Sequence, residues 1–332
     1  MERIAIIGLG LIGGSIGRAI KRAAIKEVHV VGASRTRDTV QRAKRLGAID
    51  EEARTAEDAV RDARLVIVAA PILATRALFE EIAPALAPGA VVTDVGSTKG
   101  NVMRWAKELL PERVHFVGGH PMAGKETSGI DAADPDLFRE KTWVVVPSVT
   151  ADEGAVKTVV GLAQLCGATP TFMDADEHDS YVAAISHLPL ALSSALFSVV
   201  FGSAAWPELA MLASSGFRDA TRLASGSPEM AHDIMISNRD NVLHWIDRFQ
   251  EELARFRAAI ATGETERMLE AFARPQLERD NYIVNGAPRR DLGDPIESVS
   301  LGDMLLGSKI SGMMKKQQEL LKAAEQRAER KP

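Results

Sequence analysis

"RIAIIGLGLIGGSIG", residues 3–17, decides how this chain begins to fold. The isoleucine-rich run 3–7 reads as a buried strand. Glycines at 8, 10 and 13 follow at once, in the spacing G-x-G-x-x-G, and then a helical pattern opens. In that setting the first glycine permits a tight turn, and the second lets the backbone approach a pyrophosphate. The third lets the helix pack close to the sheet, and the helix N-terminus offers unpaired N–H groups to the phosphates. The stretch therefore predicts a dinucleotide site whose backbone is Gly8, Gly10, Leu11, Ile12 and Gly13.

Working outward, the same alternation continues to about residue 173. Strand-like runs stand at 27–31, 65–69, 90–95, 114–118, 142–146 and 169–172, with helix-length segments such as 36–46 and 74–86 between the earlier ones. Alternating β and α runs predict an α/β domain, a doubly wound, mostly parallel Rossmann-type sheet with helices on both faces. Ligands in such folds sit outside the carboxyl ends of the strands, where Pro71 joins the cofactor set. From 174 to about 285 the pattern turns all-helical, as in "MISNRDNVLHWIDRFQEELARFRAAI" at 235–260, with another helix expected over 264–284. Residues 286–332 form a tail with no assignable role; 285–303 is irregular, and 313–331 reads as a solvated helix or frayed end.

Composition excludes several classes. The chain has 332 residues, 46% hydrophobic and 26% charged, with a net charge of −5. That is an ordinary globular balance with no electrostatic footprint for nucleic acid or an anionic membrane. A single cysteine rules out an internal disulfide and fits a cytoplasmic location, and the N-terminus enters a strand without a targeting segment. The uncharged run "LPLALSSALFSVVFGSAAWP", 188–207, carries five Ser or Gly and no flanking basic cluster. It reads as a helix buried in the helical domain or in a subunit interface, not as a membrane span. No residue cluster has metal-ligand spacing, so no metal is expected.

Cofactor choice is legible after the second strand, in "VVGASRTRDT" at 30–39. An NAD site usually carries an acid here to grip the ribose 2′-OH. Ser34 stands in its place, followed by Arg35 and Arg37. A hydroxyl and a guanidinium suit a 2′-phosphate, so NADP is preferred and NAD remains possible.

Two chemical groups fall at the same edge. Ser97 lies in "VVTDVGSTKG", and His120 in "VHFVGGHPMAGKETSG", which we read as a loop after its strand. Ser97 could equally cap a helix, with Thr98 as its rival. Beside a nicotinamide the two residues look like a base and its hydrogen-bonding partner, since a histidine can take a hydroxyl proton as hydride leaves the same carbon.

"GLGLIGGS", "DVGSTKG", "GGHPMAGKETSG", "ISHLP" and "GFRDATRLA" stand in the order and rough spacing of one known family. From residue 1 to about 285 the chain resembles the prephenate/arogenate dehydrogenases of tyrosine biosynthesis. The resemblance implies a nucleotide-binding domain, a dimerising helical domain, and oxidation with decarboxylation of a cyclohexadienol to a phenol. It implies that His120 is the catalytic histidine and that Ser97 bonds the substrate hydroxyl. Glu126 would help order the pocket, and His187 would lie near the substrate side chain. Arg222 would bind a substrate carboxylate, with Arg218 four residues away on a helix. Tyrosine could inhibit by competing at the site. Other readings are a β-hydroxyacid or pyrroline-carboxylate type reductase and a non-catalytic NADP sensor. The absence of lysine from 174–217 counts against the hydroxyacid enzymes.

Overall fold

Strand β1 (Glu2–Ile7) carries Ile4, Ala5 and Ile6 fully buried in the interior of an eight-stranded sheet. The computed structural model describes residues 2–125, 127–149 and 151–286. Helix α1 (Leu11–Arg22) follows the glycine turn. Then come β2 (Val28–Ala33), α2 (Arg37–Arg45), β3 (Glu51–Glu52), α3 (Ala56–Val60), β4 (Ala63–Val68) and α4 (Ile72–Ile82). The sheet continues with β5 (Val91–Asp94), α5 (Gly100–Leu109), β6 (His115–Pro121), β7 (Thr142–Pro147), α6 (Glu153–Leu165) and β8 (Thr169–Phe172).

The strand order is β3-β2-β1-β4-β5-β6-β7-β8. All neighbours pair in parallel except β6 and β7, which run antiparallel with His120 opposite Val144. Helices on both faces bury two apolar layers, one around Ile4, Ile6 and Trp143, the other around Ala5, Val66 and Phe79. This is the doubly wound, mostly parallel architecture expected from the alternating pattern. Cys166 ends α6 inside the first layer, 1% exposed, and burial pushes its thiol up to about 12.

The segment joining β6 to β7 is anchored on α1. Arg18 donates to the Ala133 carbonyl, Arg22 pairs with Asp136 at 2.8 Å, and Asp134 N–H bonds Ser15 Oγ at 2.8 Å. The strand that carries His120 is thereby tied to the helix that opens at the glycine turn.

The helical region starts with α7 (Ala175–Val182), capped by Asp174, which accepts from the N–H groups of Asp176 and Glu177. A five-residue π-helical segment, Ala183–His187, joins it to α8 (Leu188–Phe201). Pro189 has no N–H for the preceding turn, and its ring crowds the carbonyl four residues back. A widened turn relieves both. The continuous helical run Ala175–Phe201 is long and apolar enough to cross a membrane by length and composition, yet only 11% of its apolar window is buried within the chain. The expectation that 188–207 is buried inside the helical domain is thus corrected for a single chain: Val199 is 77% exposed.

Next come α9 (Trp206–Leu212), α10 (Ser215–Thr221), a 3₁₀ turn at Arg222–Ser225, and α11 (Pro228–Ser237). Phe197 and Phe201 stack at 5.9 Å, and Trp206 meets both edge-on, so α8 and α9 share an aromatic platform. The helix expected over 235–260 is broken at Asn238. Helix α12 (Arg239–Thr262) and α13 (Thr265–Asn285) follow. The chain divides into two compact units, residues 1–238 and one beginning at Arg239. The expectations for 287–332 lie outside the described residues.

Candidate active site

The glycine turn has the form its spacing requires. Gly8 has φ +94°, and a Cβ there would sit 2.2 Å from the Ala69 carbonyl oxygen. At Gly13 a Cβ would sit 1.9 Å from the oxygen of Gly8, whereas at Gly10 nothing lies within 4 Å. Gly10 caps α1 without any side-chain acceptor, and the first turn holds no acid. An open backbone face beside a helix N-terminus without a side-chain cap suits a diphosphate. Leu11 and Ile12, in that first turn, are half-buried against the core. Pro71 caps α4, whose Leu73 N–H bonds Asp233 of α11 at 3.1 Å. Ser34 is half-buried just past β2. Arg35 is 82% exposed and faces Glu229 of α11 at 3.7 Å.

His120 is not on a loop. It belongs to β6, paired into the sheet, because the strand continues through the two glycines that sequence reading took for a turn. Gly119 is needed for close passage: a Cβ there would lie 2.7 Å from the Asp94 carbonyl oxygen. One residue before the histidine, the Gly119 carbonyl accepts from Lys99 Nζ at 2.7 Å, and its N–H bonds Asp94 Oδ1 at 3.2 Å. Lys99 and Asp94 form an ion pair, 0% and 1% exposed. This buried clamp ties the end of β5, the start of α5 and the end of β6 into one rigid edge. Burial pulls the Lys99 ammonium below its ordinary range, against the pull of Asp94.

The expected partner of His120 was Ser97. Among the described residues no hydrogen bond joins them; Ser97 is half-buried on the loop after β5. The partner is instead His178 of α7, whose Nε2 lies 2.8 Å from His120 Nδ1. His178 Nδ1 lies 2.8 Å from Asp179 Oδ1. Asp179 also accepts from the backbone N–H groups of Lys99 (2.7 Å) and Gly100 (2.8 Å). It therefore caps α5 from another helix, and neither Ser97 nor Thr98 does so; Thr98 bonds Ser237. Sequence reading missed His178 and Asp179, although a His-Asp pair at the head of the helical region was a visible signal. Burial, then the neighbouring His178, Lys99 and His187, lowers the His120 pKa well below the ordinary histidine value.

His187 closes the π segment, fully buried. Asn238 Nδ2 donates to its Nδ1 at 3.1 Å and to the Asp179 carbonyl at 2.7 Å. That leaves a proton on His187 Nε2, a buried group with no partner among the described residues. Burial pulls His187 down to about 4. Arg218 lies exposed on α10, and Arg222 opens the 3₁₀ turn after it, so the two do not share one continuous α-helix. Glu126 lies outside the described residues. Among those described, no three His, Cys, Asp or Glu side chains group to hold a metal ion.

A Rossmann sheet with an open phosphate turn, and a buried histidine at the carboxyl end of one of its strands, is the architecture of a dinucleotide-binding protein. Comparison with known proteins narrows this. Residues 16–171 match the nucleotide-binding domain of prephenate dehydrogenase, and residues 174–274 match its dimerization domain. The chain is 35% identical over 294 residues to the prephenate dehydrogenase of Bacillus subtilis, covering 88% of this chain and 78% of that one. It is 33% identical over 280 residues to the cyclohexadienyl dehydrogenase of Zymomonas mobilis, covering 84% and 95%. The prephenate dehydrogenase of A. aeolicus, solved with hydroxyphenyl propionate and NAD+, superposes with a TM-score of 0.78 at 29% identity, over 85% of this chain and 98% of that one. The chain belongs to the prephenate dehydrogenase family, the NAD(P)-dependent oxidative decarboxylases of tyrosine biosynthesis.

Proposed function

We propose that this enzyme oxidatively decarboxylates prephenate, arogenate or both, with His120 as the base that takes the ring hydroxyl proton. The observation that carries the reading is the placement of His120. It is buried, held at one ring nitrogen by His178, and fixed by the Lys99–Asp94 clamp at the carboxyl end of the sheet. A histidine with a lowered pKa is unprotonated at neutral pH and ready to accept a proton.

When bound, the oxidised nicotinamide dinucleotide supplies the hydride acceptor. Residues 8–13 would hold its diphosphate, with Pro71 along the same sheet edge. Ser34 in the place of the usual acid, with Arg35 beside it, favours NADP. The pairing of Arg35 with Glu229, and the NAD+ in the A. aeolicus relative, favour NAD as a second reading. Ser97 is assigned to the substrate hydroxyl. Arg222, supported by Arg218, is assigned to a carboxylate, and Glu126 to ordering the substrate pocket. The Nε2–H of buried His187, which has no partner among the described residues, supports a donor role toward the substrate side chain. Residues 1–173 would bind the dinucleotide, and 174–285 would complete the substrate site and pair two chains into a homodimer in the cytoplasm, with tyrosine competing for the site.

Side-by-side kinetics with prephenate and arogenate, each with NADP and NAD, test this. We expect reduced nicotinamide to form with at least one substrate, faster with NADP at low cofactor. His120→Asn should lower kcat by about 10²–10⁴, because an amide cannot take the proton. If no pairing of substrate and cofactor turns over, the assignment fails.

A further inference from the structure

We propose that His178 and Asp179 are positioning residues that keep His120 in the one neutral tautomer able to act as a base at Nε2. The proposal rests on the reading of His120 as the base. Two backbone donors at the head of α5, the N–H groups of Lys99 and Gly100, grip the two oxygens of Asp179 at 2.7 and 2.8 Å. They fix its orientation and leave only lone pairs for His178. The 2.8 Å contact from His178 Nδ1 is therefore an N–H donated to Oδ1.

A neutral imidazole carries one N–H. With the proton of His178 on Nδ1, its Nε2 holds a lone pair, and that lone pair lies 2.8 Å from His120 Nδ1. Nδ1 of His120 must then be the protonated nitrogen, and its Nε2 is bare. A charged His178 would reverse the chain and put the proton on His120 Nε2. Both rings are buried and Lys99 Nζ bonds the carbonyl next to His120, an arrangement that disfavours a second positive charge in the pair. Of the other groups around the pair, His187 is held by Asn238, and Asp94 is engaged by Lys99.

The bias matters because a free imidazole prefers its proton on Nε2, the wrong nitrogen for this role. The same contact stops the ring from turning over. Three elements thus converge on one nitrogen: β6 brings the base, α7 its acceptor, and the N-terminus of α5 holds the acceptor's own partner. When the base works, the substrate O–H proton moves to Nε2, the ring becomes an imidazolium, and its Nδ1–H stays on His178.

Nitrogen NMR of the full-length protein with isotopically labelled histidine reads the tautomer directly, without substrate or cofactor. We expect Nδ1–H and a bare Nε2 on both His120 and His178 at neutral pH. A proton on His120 Nε2 in the parent protein would overturn the proposal. His178→Phe keeps a ring of similar size and removes the acceptor. It should return His120 toward the Nε2–H form and lower kcat about 10–100-fold, as loss of an orienting partner does elsewhere, with KM values little changed. A folded His178→Phe protein with unchanged kcat and a bare Nε2 would also overturn it. If that variant does not fold, the spectrum of the parent protein decides alone. Failure of both substrates would remove the functional assignment and leave the tautomer result standing.

Discussion

His187 shows how a single side chain can be stressed by its surroundings. Its folded pKa is pulled to about 4, mainly by burial, against about 6.5 in an unfolded chain. Between those values the unfolded state binds more protons than the folded one, so stability falls as pH drops through that window. A gap of that size is worth about 3 kcal/mol once the pH lies below both values. We expect chemical denaturation of the parent protein to weaken steadily from pH 6.5 to about 4. His187→Asn should be less stable at neutral pH and show a shallower slope. An equal slope in both proteins would mean that another group titrates there. Most of the residues proposed to act were legible because their motifs are local. His178, Asp179 and Asn238 were not, because their roles exist only once α7 and α11 have packed against the sheet edge. The partner of His120 lies 58 residues away in sequence, and no spacing rule reaches that far.

Elements separate what a glycine does for folding from what it does for binding. Gly13 has the Gly8 carbonyl oxygen in the space a Cβ would take, whereas Gly10 has open space and an extended backbone that any residue can adopt. Gly13→Ala should therefore lower the melting temperature, at a cost of about 1–3 kcal/mol from overpacking against rigid backbone. Gly10→Ala should leave melting unchanged and raise the KM for the dinucleotide about tenfold or more, because the methyl occupies the approach to the diphosphate. Matched calorimetry and cofactor titration check both halves, and a Gly10→Ala protein with normal cofactor binding would refute the second. At this scale the sequence was most readable: the strands fell where β-rich runs stood. The exceptions are physical. Strand β3 is two glutamates at a sheet edge, too short and too polar to show a period. The extension of β6 through Gly118 and Gly119 looks like a turn until β7 is seen to pair with it.

At the scale of the whole molecule, the apolar surface of α8 needs a cover. Val199 and Phe201 are 77% and 56% exposed in one chain, and Phe201 is held in the aromatic platform, so Val199 is the cleaner probe. The match of residues 174–274 to a dimerization domain points to a second copy of the chain. Val199→Glu should then split or precipitate the assembly, since burying an unpaired carboxylate costs several kcal/mol. Light scattering after size-exclusion chromatography should find the parent protein at twice the chain mass. A fully active monomer at micromolar concentration would dismiss the dimer. The lone thiol has a bearing on how such questions are asked. Cys166 is sealed in the core of the nucleotide-binding half and resists ionisation up to about 12. Thiol-directed reagents therefore meet no accessible thiolate on the native protein. One cysteine introduced at the surface becomes the sole site for a spin label or fluorophore, and the rate at which Cys166 itself succumbs reports how often the sheet opens.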